Sequence, residues 1–121
     1  MQEVKEVMES YNNYLGNVSK GAFYISEQLR EDSVQEALST ILNFSEGMLW
    51  LTEASELLEK NNVKAKINIE KIQEFLIEVN NGLEKQDYVL VADMFEYEIA
   101  PFFEEVTFAV GPDKNDELES N

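Results

Sequence analysis

Apolar residues over the first thirty positions recur at spacings of four and three. Val4, Met8, Tyr11, Leu15, Val18, Ala22, Ile25 and Leu29 form this seam. Such a heptad pattern marks a helix that presents one edge to a core. It predicts a helix over residues 2–30, about 43 Å long at 1.5 Å per residue. Tyr14, Phe23 and Tyr24 widen its apolar face. Gly16 and Gly21 each weaken it by about 1 kcal/mol relative to alanine. A break at Gly16–Asn17 is the alternative.

The seam cannot continue past Leu29, because it would then bury Asp32, Ser33 and Glu36. Asp32 with Gln35 three residues on fits a capping box, so a tight turn over 31–33 and an antiparallel hairpin are expected. The second helix is expected over about 33–60. Its apolar positions change phase. Val34, Leu38, Ile41, Leu42, Met48 and Leu49 share one face, whereas Trp50, Ala54, Leu57 and Leu58 lie nearly opposite. Glu53, Glu56 and Glu59 occupy the sector that was apolar upstream. Either the helix bends near Ser45–Gly47, or its two halves pack against different neighbours.

Asn61–Asn62–Val63 reads as a helix stop, and 63–67 as a loop. Asn68 caps a third helix over 69–84, with Ile69, Ile72, Phe75, Leu76, Val79 and Leu83 as its buried stripe. Asp87 caps a fourth, where its carboxylate accepts free N–H bonds at the positive end of the helix dipole. This helix is expected to reach about Ala109, before the stop signal Gly111–Pro112. Tyr88, Val91, Phe95, Ile99, Phe102 and Val106 make its core face. Leu90, Met94, Tyr97 and Pro101 make a second apolar stripe, flanked by Asp93, Glu98, Glu104 and Glu105. That stripe is a candidate partner-binding surface for a basic or amphipathic helix. The plainer reading, a central helix covered on both sides, is favoured because apolar stripes are usually core. Pro101 removes the N–H that would bond the Tyr97 carbonyl, so a kink is expected there.

The elements predict an all-α, mostly antiparallel four-helix bundle, or five helices if the first breaks at Gly16. Residues 1–110 form one domain and 111–121 a flexible acidic tail, since D-K-N-D-E-L-E-S-N has almost nothing to bury. Five glycines and two prolines in 121 residues are too few for the many tight turns of an all-β fold.

Charge changes the picture of partners. The formal net charge is −16. Residues 1–59 carry net −8, 60–85 net +1, 86–110 net −6, and the last eleven −3. A field this negative repels nucleic acid and anionic membranes and favours basic partners. The only basic ground is Lys60, Lys64, Lys66, Lys71 and Lys85, which could meet the acidic side of a second copy in a dimer. The N-terminus has neither a basic n-region nor an apolar h-region, and no apolar run reaches a membrane span. A cytoplasmic protein is therefore expected.

The chemical inventory is short. There is no cysteine and no histidine. A di-iron bundle needs Glu-x-x-His pairs, and a calcium loop needs the central glycine that Asp113–Glu117 lacks. Glu96 and Glu98 diverge by about 200° on one helix, which is unsuited to paired-carboxylate chemistry. No cofactor, metal or catalytic residue is expected, and the chain reads as non-enzymatic.

G-M-L-W-L-T-E-A from Gly47 and D-Y-V-L-V-A-D-M-F-E-Y-E-I-A-P-F-F-E-E from Asp87 resemble a family of short, uncharacterised bacterial helical proteins. The resemblance covers about half the chain and implies a small cytoplasmic helical bundle with no established activity. Two functional expectations remain. One is a protein-interaction module, such as a small chaperone or accessory protein of a bacterial secretion or motility system. The other is an acidic inhibitor or nucleic-acid mimic that binds a basic protein.

Overall fold

A computed structural model describes residues 2–111. Among them the elements are α1 (Gln2–Arg30), α2 (Val34–Lys60), α3 (Ile69–Glu84), α4 (Tyr88–Met94), a π-helical turn (Phe95–Ile99) and α5 (Ala100–Glu104). The last three run on without a break, so the bundle has four helical rods. The expected flexible tail falls on residues outside those described, apart from Gly111.

α1 is the axis of the molecule. Its seam is buried from Tyr11 to Leu29, and Val4 and Met8 pack at its margin. The helix is unbroken at Gly16. α2 and the α4–α5 rod flank α1 along its length, α3 leans on the α4–α5 rod, and α2 and α3 barely meet. The aromatic contacts tie these layers together. Phe44 of α2 meets Phe95 edge-on at 5.1 Å, and Phe75 of α3 meets Phe102 at 5.4 Å. Edge-to-face pairs of this kind add about 0.5–1.5 kcal/mol beyond area burial.

The three turns between rods close in the same way. Ser33 N–H bonds Gln28 C=O at 2.9 Å while Asp32 N–H bonds Leu29 C=O at 3.4 Å. Val63 and Asn62 repeat the pair on Leu58 and Glu59, and Asp87 and Gln86 repeat it on Gly82 and Leu83. This is the Schellman closure, and it needs one left-handed residue. Asp32, Asn62 and Gln86 fill that position at φ 61°, 65° and 56°. Asp32 is therefore not the N-cap of α2, contrary to expectation. Ser33 stands there, with no side-chain cap bond. The two predicted caps downstream are present. Asn68 accepts from Lys71 N–H at 3.0 Å and Asp87 from Leu90 N–H at 3.1 Å.

α2 does not change face. Its buried residues are Ala37, Ile41, Phe44, Met48, Leu51, Ala54, Ser55 and Leu58, one continuous stripe. Leu42, Leu49, Trp50 and Leu57, which suggested the phase jump, lie outside it and are exposed. The stripe itself is built partly from alanine and serine, so counting large apolar residues misplaced it.

The fourth rod ends at Glu104, five residues earlier than expected. Pro101 is preceded by a widened turn, in which Ala100 N–H bonds the Phe95 carbonyl five residues back. A proline ring presses on the carbonyl four residues earlier and offers it no donor, and a π turn makes room for both defects. Residues 105–111 then form an extended strap across α1. The Asn12 side-chain amide donates to Ala109 C=O at 3.1 Å and accepts from Ala109 N–H at 2.7 Å. Val110 and Lys64 exchange two backbone hydrogen bonds, both 3.0 Å. The Phe108 ring lies over Gly16, and Gly111 lies beside the Met8 sulfur. The strap thus follows the Met8–Asn12–Gly16 edge of α1.

Candidate functional site

The sequence points first to the outer face of the fourth rod. Before the π turn, α4 is wedged between α1 and α3, and both neighbours claim a side. Val91, Ala92, Met94 and Phe95 are all buried. At 3.6 residues per turn these span an arc of about 160°. Met94 is therefore core, 1% exposed, and cannot belong to a docking stripe. Pro101 is half-buried on α5. Leu90 and Tyr97 are exposed, Tyr97 by 66%, and Val89 beside them is exposed as well. The predicted stripe is thus divided between core and surface, which is the central-helix reading for Met94 and the surface reading for Leu90 and Tyr97.

The acidic flanks also divide. Asp93 and Glu96 are held by the single arginine of the chain. Arg30 at the end of α1 meets the Asp93 carboxylate at 2.8 Å and that of Glu96 at 2.9 Å. Its guanidinium pKa is raised further by the hydrogen bonds it donates to Asp93 and then to Glu96. The pairing links the end of α1 to the fourth rod and engages Asp93, whose side chain stays about half exposed. Glu98, Glu104 and Glu105 remain exposed.

The outer face of α2, not singled out as a site from sequence, holds four of the exposed large apolar residues: Leu42, Leu49, Trp50 and Leu57. Their signal was present in the sequence as the phase jump. It reads as a site only once the core stripe of α2 is known.

Two concavities formed by described residues lie beside these faces. A cleft of about 560 Å³ opens where the α1–α2 and α3–α4 turns meet, with Arg30, Asp32, Asp87 and Tyr88 in its walls. A groove of about 200 Å³ lies between α1 and α2 over Tyr14, Val18, Ile25 and Phe44, and is almost wholly apolar. Among the described residues no three acidic side chains are placed to hold a metal ion, and no helix is long and apolar enough to cross a membrane.

The fold and its surface define an acidic all-helical bundle whose exposed apolar residues include groups on α2 and on the fourth rod. A family profile described as Domain of unknown function (DUF8042) matches residues 6–107, and the chain belongs to that family. The match runs from the first turns of α1 to the start of the strap. No curated protein matches the chain, and no solved structure matches it.

Proposed function

We propose that the protein is a non-enzymatic, cytoplasmic interaction module that binds a basic protein partner. The observation that carries this is the exposure of Leu90 and Tyr97, with Val89, on a rod that has no positive charge from Gln86 to Val110. Exposed aromatic and aliphatic residues set among carboxylates suit the apolar face and cationic flanks of an amphipathic helix. The lack of cysteine and histidine supports binding over catalysis. An accessory or chaperone role in bacterial secretion or motility fits the size and fold class, by analogy at fold level.

The test is a pull-down with the full chain and with a Leu90→Ser/Tyr97→Ser variant, each at low and high salt. A stoichiometric partner should be recovered by the wild type and lost by the variant. If high salt abolishes binding and the variant does not, the protein is instead an acidic inhibitor that works through charge alone. If no stoichiometric partner appears even at low salt, the interaction reading fails.

A further inference from the structure

α2 carries a second surface whose organisation is tighter than that of the fourth rod. Leu42 and Leu49, 61% and 63% exposed, form a row seven residues apart. Trp50 and Leu57 form a parallel row at the same spacing, and the exposed Glu46 and Glu53 run between the rows. At 3.6 residues per turn these six positions fall within an arc of about 100°, over a length of about 22 Å. That arc lies opposite the buried stripe of α2. α1 meets α2 on the flank holding Thr40, Asn43 and Gly47 and touches the outer strip at Trp50, through Tyr14, while Leu42, Leu49 and Leu57 stay exposed.

The aromatic member of the strip is held in place. The Trp50 ring meets Tyr14 of α1 edge-on, with centroids 5.9 Å apart. Tyr14 reaches this position because Gly47 has no Cβ; a Cβ there would run into the Tyr14 hydroxyl. An aromatic side chain already fixed in its rotamer loses little freedom on binding, which is a property of interface anchors.

The charge around the strip selects the occupant. Between Arg30 and Lys60 the chain has seven acidic residues and no basic one. A second copy of the same face would set Glu46 and Glu53 against their own kind, and like charges brought together at an interface are costly. A helix with an apolar stripe flanked by lysine or arginine meets both the apolar rows and the glutamates. We propose that the outer strip of α2, Leu42–Leu57, is the docking site for a basic amphipathic helix of a protein partner. This site lies on a different face from Leu90 and Tyr97, and its test separates the two.

Trp50 is the only tryptophan of the chain, so its fluorescence reports occupancy of the strip directly. The probe is a synthetic 21-residue helix with leucine at the a and d heptad positions and lysine at the flanks. Its control has every leucine replaced by serine. The full-length protein should bind the probe with a blue shift of Trp50 emission, and the control at least about tenfold more weakly. Leu42→Ser/Leu49→Ser should lower probe affinity by about tenfold or more with an unchanged far-ultraviolet circular dichroism spectrum. The same loss should appear in a Leu90→Ser/Tyr97→Ser background, from which the other exposed surface has been removed. All four side chains are exposed, so the fold is not at risk. Equal binding of probe and control, an unshifted Trp50 emission, or undiminished affinity of the Leu42/Leu49 variant would overturn the proposal. Loss in the Leu90/Tyr97 variant alone would overturn it in favour of the fourth rod.

Discussion

Tyr11 shows what a single residue contributes and conceals. Its ring belongs to the α1 seam and is fully buried, as the heptad pattern predicts. Its hydroxyl has no hydrogen-bond partner among the described residues. Burial, and secondarily the nearby charge of Glu59, pushes its pKa from 10.0 up to about 12. The consequence for stability has a definite sign. Below pH 10 the hydroxyl is protonated in folded and unfolded chains alike, and nothing is lost. Between pH 10 and about 12 the unfolded chain ionises while the folded one resists, so stability falls. Tyr11→Phe keeps the ring and removes the orphan group. Leaving such a group buried costs about 1–3 kcal/mol, so the variant should be as stable as the wild type or more so at pH 7. Its advantage should widen between pH 10 and 12. Urea melts at pH 7, 10 and 11.5 measure this, and an advantage that shrinks as pH rises would refute it. The heptad rule identified the position, but it is blind to an unpaired oxygen, because pairing depends on what other helices bring.

At the scale of elements, what could be read from sequence depended on whether the determinants were local. α1, α3 and the caps Asn68 and Asp87 follow from spacing and from side chains within three residues of the groups they bond. The end of the fourth rod does not. Val106–Val110 is apolar enough to continue a helix, yet Glu104 and Glu105 place negative charge at the unfavourable end of the dipole. The decisive partner, Asn12, is 97 residues away. The same holds for α2, whose buried alanines and exposed leucines are sorted only by where α1 and the α4–α5 rod lie. Asn12→Ala tests the strap. It removes one donor and one acceptor from Ala109, a residue 6% exposed, and should cost about 1–3 kcal/mol. Amide exchange at Lys64, Ala109 and Val110 should accelerate with little change in the middle of α3. Unchanged protection at Val110 would mean that the backbone pair with Lys64 holds the strap unaided.

Across the whole molecule, the acidic balance bears on stability and binding together. The net charge is −16. The ion pairs found among the described residues are Arg30 with Asp93 and Glu96, and Lys71 with Glu74 at 3.5 Å. All are partly exposed, and pairs of this kind add little. Self-repulsion is therefore the larger electrostatic effect of folding, because compaction brings like charges closer. The Debye length shrinks from about 30 Å at 0.01 M salt to about 3 Å at 1 M, which screens the repulsion almost entirely. Added NaCl should therefore raise the melting temperature, by about 3–6 °C over that range if screening contributes about 1 kcal/mol. Chloride is the right anion for the measurement, since sulfate stabilises by exclusion from any protein surface. A melting temperature that falls with NaCl would show that the Arg30 pairs outweigh the repulsion. Salt should act in the opposite direction on a basic partner, weakening the encounter with α2 while firming the fold that presents it. Binding lost at a salt concentration where the melting temperature has risen would therefore report screened attraction and not an unfolded protein.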